Sequence, residues 1–466
     1  MEVKVGATIE ITEPTKRIID YCKEHLVLDN PEYIKKQRMG FWIGNTPPKL
    51  ELYVKEKDKL ILPYGLQDDL IDEFYKADLF TYNYVVPKEV DFGKPVPLYD
   101  YQVIAARMLE AAEHGILQSK AGSGKTQIGI ALIKLFGVRT LWITQTIDLL
   151  NQSKTRAEQY IDKKLIGTIT EGKVNINDLT FATVQTLSKI DLQKYKDYWD
   201  LIIVDECHRV CGSPTSLTMF YKVLNNLSAR HKYGLSATVH RSDGLIKATY
   251  AMLGRIAYAV PEEKVADKVM KVGVQVVNTG LKLDYECLNT DGTVNYPKLL
   301  TYITSNEERN DLIIEKIIKN KDSPSLILSD RLKHLEMLRN KLPINLLMDS
   351  TMVSGSMNTK QGKEERKQAL EKMRTGKLKY LFATYQLCKE GLDIPCLERL
   401  YMTTPQRDYA VVTQSIGRVD RICEGKKPPI VYDFVDDMGY AVKCYKDRKS
   451  IYKKNNCYWI EDEWLS

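Results

Sequence analysis

The sequence contains no apolar run near the ~18 residues that a membrane-spanning helix requires, so no such span is expected. Its opening residues, Met1-Glu2-Val3-Lys4, lack the apolar stretch of a signal peptide. Paired cysteines are missing as well. Nine cysteines are scattered without one Cys-x-x-Cys, and Cys207 and Cys211 have no matching second pair. That argues against zinc and iron–sulfur frameworks and leaves free thiols in a reducing cytosol as the expectation. A strong excess of one charge is also absent. The 68 Lys plus Arg against 61 Asp plus Glu leave a net charge of +7, which permits a nucleic-acid partner without demanding one.

What is present is chemistry for phosphates. Gly115-Ile116-Leu117-Gln118 reads as a short strand, and Ser119-Lys120-Ala121-Gly122-Ser123-Gly124-Lys125-Thr126 follows it as a P-loop. Gly122 and Gly124 let the backbone turn tightly about an anion. A helix starting near Lys125 points its positive end at the same place. Lys125 is expected to reach the β- and γ-phosphates of ATP, and the Thr126 hydroxyl to ligate Mg²⁺. Further on, the apolar run Leu201-Ile202-Ile203-Val204 ends in Asp205-Glu206-Cys207-His208. Carboxylates at the carboxyl end of a buried strand stand where ligands bind in open α/β sheets. Asp205 is expected to hold Mg²⁺ and Glu206 to orient or deprotonate the attacking water. His208 either relays between the nucleotide and other motifs or satisfies a local hydrogen bond.

A length of 466 residues allows two or three domains. Residues 1–90 read as a small α+β accessory region with DNA-binding character. It has a helix over 12–30 and strands at 50–54 and 59–62 joined by a charged turn. Lys35, Lys36, Arg38, Phe41, Trp42 and Lys49 form either a basic, aromatic nucleic-acid surface or a solvated face with two core aromatics. Residues 91–262 alternate strand and helix about the P-loop, which implies a parallel sheet with helices on both faces. Residues 263–300 read as an irregular crossing segment opening a second α/β region, 263–440, with no P-loop of its own. There a helix is expected at 306–319, with strands at 325–328, 379–384, 398–403 and 429–435. Residues 441–466 form a basic, tyrosine-rich tail, read either as a DNA-binding arm or as a helix packed on the second lobe.

Further motifs complete a family pattern. They are Ser236-Ala237-Thr238, continuing to Gly244; Thr384-Tyr385-Gln386-Leu387-Cys388-Lys389-Glu390-Gly391-Leu392-Asp393-Ile394-Pro395; and Gln414-Ser415-Ile416-Gly417-Arg418-Val419-Asp420-Arg421. In order and spacing, from about residue 95 to residue 440, they resemble the superfamily 2 DExH helicases and translocases, in the group of phage UvsW and the XPB/RAD-type DNA helicases. Two departures are visible: Ser119 stands where the family usually has Gly or Ala, and Val239 where it has Pro.

The resemblance implies two RecA-like lobes working on ATP and Mg²⁺. It implies that Arg418 and Arg421, three apart on one helix face, approach the γ-phosphate with Gln414 beside them. Gly391 and Asp393 would sense lobe closure. Gln102, in Leu98-Tyr99-Asp100-Tyr101-Gln102, would read adenine, although the usual Arg of that segment is Asp100 here. Ser236 and Thr238, with His208, Arg241 and Asp243, would couple the nucleotide to nucleic acid. Thr146, Gln152, Thr183, Gln185 and Thr186 on the first lobe, and Ser354, Gly355 and Thr384 on the second, would touch the phosphate backbone, which positions a strand without reading it. The implied task is ATP-dependent remodelling of branched DNA in phage replication, recombination or repair, at forks, D-loops, R-loops or Holliday junctions. The protein would then work in the host cytoplasm, with no membrane partner. An RNA helicase, and a DNA-stimulated ATPase motor or switch that separates no strands, are the alternatives.

Overall fold

The structure is a computed structural model, and it describes every residue except 1, 75–79, 121, 214–216, 240–243, 266–268, 356–359, 390, 391, 393 and 461–466. The chain divides into two compact units, Met1–Val265 and Ala266–Ser466. Among the described residues, no helix is long and apolar enough to cross a membrane.

The first unit opens with a five-stranded sheet in the order Val54–Lys55, Lys59–Pro63, Thr8–Thr12, Glu2–Val5, Phe80–Tyr82. Alternate residues face its core: Val3 and Val5, Ile9 and Ile11, Leu60 and Leu62 are all buried. The helix expected over 12–30 is shorter, Lys16–His25, because Thr15 caps it by accepting from the Ile18 amide at 3.4 Å. The run expected as one strand at 50–54 splits. Leu52 and Tyr53 are both buried, so the alternation breaks there; Lys49–Glu51 pairs with Val27–Asp29, and Val54–Lys55 with Lys59–Pro63.

The rest of this unit is built on eight strands. Their order is Lys173–Asn175, Ile166–Thr170, Leu179–Thr183, Thr140–Thr144, Leu201–Asp205, His231–Ser236, Gly115–Gln118, Ile256–Ala259. All neighbours run parallel except the edge strand Lys173–Asn175. Leu179–Thr183, Thr140–Thr144 and Leu201–Asp205 are buried at every position, as strands covered on both faces must be. Gly115–Gln118, His231–Ser236 and Leu201–Asp205 are consecutive neighbours, so the three segments that follow them start side by side.

The small sheet is held to the large one by the turn Tyr64–Leu66. Gly65 lies against the helix Ile246–Leu253 so closely that a Cβ on it would come 2.2 Å from the Gly254 nitrogen and 2.4 Å from the Tyr250 oxygen. Lys232 is wholly buried at the same junction. Its Nζ donates to the carbonyls of Ala7 (3.1 Å) and Leu224 (2.9 Å) and sits 4.4 Å from the Tyr64 ring centroid.

The second unit is a seven-stranded, wholly parallel sheet. Its order is Ser350–Val353, Tyr380–Thr384, Ser325–Ser329, Arg399–Met402, Ile430–Asp437, Gly273–Lys282, Tyr458–Trp459. The segment expected as irregular thus contains a ten-residue strand, Gly273–Lys282, registered along Ile430–Asp437. Helices Glu307–Lys319 and Gly439–Lys454 are tied to that neighbour through buried ion pairs: Arg309 Nε with Asp436 at 2.6 Å, and Arg448 with both carboxylate oxygens of Asp433 at 2.8 and 2.7 Å. Tyr452 also donates to Asp433 at 2.8 Å, so part of the expected basic, aromatic tail belongs to the core.

Two predictions test the junction in the first unit. Gly65→Ala must displace backbone atoms, and its thermal midpoint should fall by an amount equivalent to roughly 2 kcal/mol or more; an unchanged midpoint would refute the close approach. Burial pushes the Lys232 ammonium down to about 7. Above that pH the folded chain carries a neutral amine there, whereas the unfolded chain stays protonated to about pH 10. The unfolded state therefore binds more protons between pH 7 and 10, and stability rises with pH in that window. Measured against Lys232→Met, the parent should gain by up to about 1 kcal/mol per pH unit over that range in urea unfolding. A constant difference would mean the ammonium stays charged in the fold.

Candidate nucleotide and nucleic-acid sites

Site geometry in the first unit begins at the end of Gly115–Gln118. Ser119 and Ser123 are buried, and the Ser119 hydroxyl donates to Ser123 Oγ at 2.6 Å, so the departure at position 119 becomes a tie across the P-loop. Gly122 and Gly124 have φ of 81° and 79°, the left-handed turn that glycine allows. The helix Lys125–Phe136 starts directly after, and Lys125 Nζ donates to the Ser119 carbonyl at 3.2 Å. Gln102 is buried. Its Oε1 accepts from the Tyr99 amide at 3.0 Å, and its Nε2 donates to the Ser123 carbonyl at 3.0 Å, where the Tyr101 hydroxyl also donates at 2.8 Å. The amide expected to read adenine also braces the loop, and the exposed ring of this segment is Tyr99, stacked on Tyr101.

At the end of Leu201–Asp205 the Asp205 carboxylate is buried. It accepts from the Glu206 amide at 3.0 Å and from the Ser153 hydroxyl at 3.2 Å. Burial raises its pKa to about 6; the charge of Glu206 adds to the rise, while Lys125 and the Ser153 bond oppose it. Glu206 adopts φ 50°, an uncommon conformation for a non-glycine residue, where the strand passes into the turn Cys207–Arg209. His208 Nδ1 lies 3.3 Å from Glu206 Oε2 and 3.0 Å from Ser236 Oγ. The Ser236 hydroxyl donates to the Thr238 carbonyl at 2.7 Å, so its proton is spent and Nδ1 is the donor to Ser236 Oγ. Thr238 closes the link by donating its amide to Ser236 Oγ at 3.2 Å.

The expected nucleic-acid residues are mostly engaged internally. Thr146 caps the helix Ile147–Ala157, on which Gln152 is half-buried. Thr183 and Thr186 are buried and bonded to each other at 3.1 Å. Gln185 Nε2 donates to the Gln145 carbonyl at 2.6 Å. In the second unit Ser354 is buried, Gly355 is exposed, and Thr384 accepts from the Leu387 amide at 3.3 Å. Gln414 is buried in the helix Tyr409–Val419, from which Arg418 donates to the carbonyls of Cys388 and Leu392, both at 3.1 Å. That helix ends at Val419 with Asp420 as its cap. Arg421 therefore does not share a helix face with Arg418: it forms an isolated bridge with Val269, and Lys426 Nζ donates to its carbonyl at 2.7 Å. Arg241, Asp243, Gly391 and Asp393 lie outside the described residues.

Comparison with known proteins settles the family. The family model "Type III restriction enzyme, res subunit" matches residues 95–241, and "Helicase conserved C-terminal domain" matches residues 308–423. The chain is a superfamily 2 helicase. A relative in Acanthamoeba polyphaga mimivirus, named as a candidate ATP-dependent RNA helicase, is 27% identical over 444 residues, which is 91% of this chain and 81% of that one. The DNA 3'-5' translocase XPB2 of Sulfurisphaera tokodaii is 25% identical over 402 residues, 76% of this chain and 88% of its own. The ATP-dependent DNA helicase uvsW of Enterobacteria phage T4 is 23% identical over 295 residues, 62% of this chain and 56% of its own. The two parallel sheets are the RecA-like lobes of such helicases.

Helicases of this kind hydrolyse ATP, and the residues of the first unit suit Mg²⁺-ATP. A glycine-relieved loop meets a helix N-terminus, and a hydroxyl and an ammonium stand on its first turn. Beside them is a buried carboxylate whose charge is penalised until a cation arrives. Sequence patterns missed Ser153, which fixes Asp205, and Gln145, whose Oε1 accepts from Arg209 at 2.7 Å. These residues meet only through tertiary folding, and no local pattern marks them.

The bracing of the P-loop by Gln102 gives a direct test. Gln102→Ala should weaken ATP and GTP binding in equal proportion, by about 3- to 10-fold for the lost hydrogen bonds. Loss of ATP binding alone, read by titration with each nucleotide, would show that Gln102 reads adenine.

Proposed function

We propose that this helicase is an ATP-driven DNA translocase that remodels branched DNA: forks, D-loops, R-loops and Holliday junctions, in phage replication, recombination or repair. The observation that carries the motor reading is the chain Glu206–His208–Ser236–Thr238, which joins the hydrolytic carboxylate to the segment after the neighbouring strand. A change at the phosphates moves Glu206, and through His208 it reaches the segment after His231–Ser236. DNA is favoured by two relatives that are named for DNA work.

In this reading Lys125 and the P-loop amides would hold the phosphates, and Thr126 and Asp205 would hold Mg²⁺. Bound there, the ion would neutralise charge on the phosphate oxygens. Glu206 orients or deprotonates the attacking water. Arg418 and Arg421 give positive charge to the phosphoryl oxygens in the transition state, with Gln414 beside them. Gly391 and Asp393 report nucleotide state, and Arg241 and Asp243 extend the coupling segment. Thr146, Gln152, Thr183, Gln185, Thr186, Ser354, Gly355 and Thr384 would be the contacts to backbone phosphates. Residues 1–90 act as the DNA-binding accessory region, 91–262 and 263–440 as the two lobes, and 441–466 as the C-terminal segment. A second reading, action on RNA, rests on the name of the mimivirus relative.

Steady-state ATPase rates with single-stranded DNA, duplex DNA, a four-way junction and duplex RNA, at one salt concentration, decide between them. Branched or duplex DNA should stimulate turnover most, and Lys125→Ala should lower the stimulated rate by at least about 100-fold. Stimulation mainly by RNA would move the protein to the RNA helicases. No stimulation by any of them would leave a partner-dependent switch.

A further inference from the structure

Residues 31–48 stand apart from the core of the first unit. The helix Pro31–Arg38 buries none of its residues, and the loop after it exposes Met39, Phe41 and Trp42, the last by 88%. The two aromatics are therefore not core residues. The loop is nevertheless held in shape. Asn30 caps the helix by accepting from the Glu32 amide at 3.0 Å, and its Nδ2 donates to the Pro47 carbonyl at 2.7 Å, closing the base. Lys36 Nζ donates to Thr46 Oγ1 at 2.7 Å, and the Phe41 amide to the Lys36 carbonyl at 2.9 Å. Trp42 rests on Gly44, where φ is +55° and a Cβ would stand 2.7 Å from the indole ring. One side of the indole is propped by backbone, and most of the rest meets water.

The surroundings are basic. Lys35, Lys36 and Arg38 face one acid, Glu32, which is paired with Lys36 at 2.8 Å. Among the described residues, Lys35 and Arg38 make no ion pair, and both are exposed. A propped aromatic ring beside exposed cations matches a stacked base flanked by its phosphates. Every base offers a π-face, so such a platform tolerates any sequence.

We propose that residues 31–48 form a base-stacking prong, in which Trp42 and Phe41 stack on the last base pair or first unpaired base at a DNA fork while Lys35 and Arg38 meet the adjoining phosphates. This rests on the DNA-remodelling reading above and adds where the boundary between paired and unpaired strands is held. It gives the accessory region a task that the lobes, which grip backbone, do not perform.

The test uses the full-length protein without nucleotide and a forked DNA carrying 2-aminopurine at the duplex boundary. The parent should change the probe's fluorescence on binding. Trp42→Ala should bind the fork about ten-fold or more weakly and lose that change, Trp42→Phe should keep most of both, and Lys35→Glu with Arg38→Glu should weaken binding and flatten its salt dependence. The thermal midpoint of Trp42→Ala should match the parent, since the ring is exposed. Equal fork affinity and equal fluorescence change in Trp42→Ala and parent would overturn the prong and leave the patch to a protein partner. The two readings fail separately. A parent whose ATPase responds to DNA while Trp42→Ala binds forks normally sinks only the prong; a parent that no nucleic acid stimulates sinks the motor reading itself.

Discussion

Asp205 sets the main constraint on the first unit: a carboxylate held out of water at the end of a buried parallel strand. Its ionised form is costly there, and the fold answers with specific partners. The Ser153 hydroxyl and the Glu206 amide take up its two oxygens, and the ammonium of Lys125 opposes the rise in its pKa. Each partner comes from a different element. The helix Ile147–Ala157, the P-loop helix and the turn Cys207–Arg209 must therefore all be seated for the site to exist. A parallel sheet makes this possible, because it ends neighbouring strands on one side. Gly115–Gln118, His231–Ser236 and Leu201–Asp205 being consecutive neighbours is what sets the P-loop, Thr238 and Asp205 side by side.

The second unit solves a related problem differently. Asp433 and Asp436 lie buried on Ile430–Asp437, and each is matched by a buried arginine from a flanking helix. Such pairs add little net stability over apolar packing, but losing one partner leaves an uncompensated charge at a cost of about 3–5 kcal/mol. They fix which helix sits where, and so they specify the arrangement more than they strengthen it. Lys426 plays a local version of that part. Its Nζ donates to the carbonyls of Pro395, Val419 and Arg421, fastening the end of the helix that carries Arg418.

Legibility in the sequence followed the range of each interaction. The P-loop, the strand ending at Asp205 and the apolar strands of both sheets are local patterns, and they fold as read. Gly273–Lys282 escaped notice because Gln275, Asn278 and Thr279 interrupt its apolar positions, and its pairing with Ile430–Asp437 lies more than 150 residues away. The shared face of Arg418 and Arg421 failed because the helix stops at Val419, and nothing in the motif announces the stop. Gln102 was visible as an amide near the P-loop, but its partners Tyr99 and Ser123 were not. Trp42 was visible as an aromatic among basic residues. Whether it lay in the core depended on the helix Pro31–Arg38 burying nothing, which composition does not reveal.

The residues that sequence missed also change how the nucleic-acid side of the first unit is understood. Thr183 and Thr186 were expected to offer hydroxyls to a phosphate, yet they bond to each other beneath the surface. Gln185, the residue between them in this group, reaches across to the Gln145 carbonyl, and the Gln145 side chain accepts from Arg209. Arg209 closes the same short turn that begins at Cys207, directly after Glu206. The loops after Thr140–Thr144 and Leu179–Thr183 are thereby joined to the turn beside Glu206 through Gln145. In the proposed reading, a strand pressing on either loop would act on Glu206 through that turn, while a nucleotide would act on Thr238 through His208. The two routes would then meet at one six-residue stretch, Asp205 to Val210, which would let so short a segment answer to both ligands.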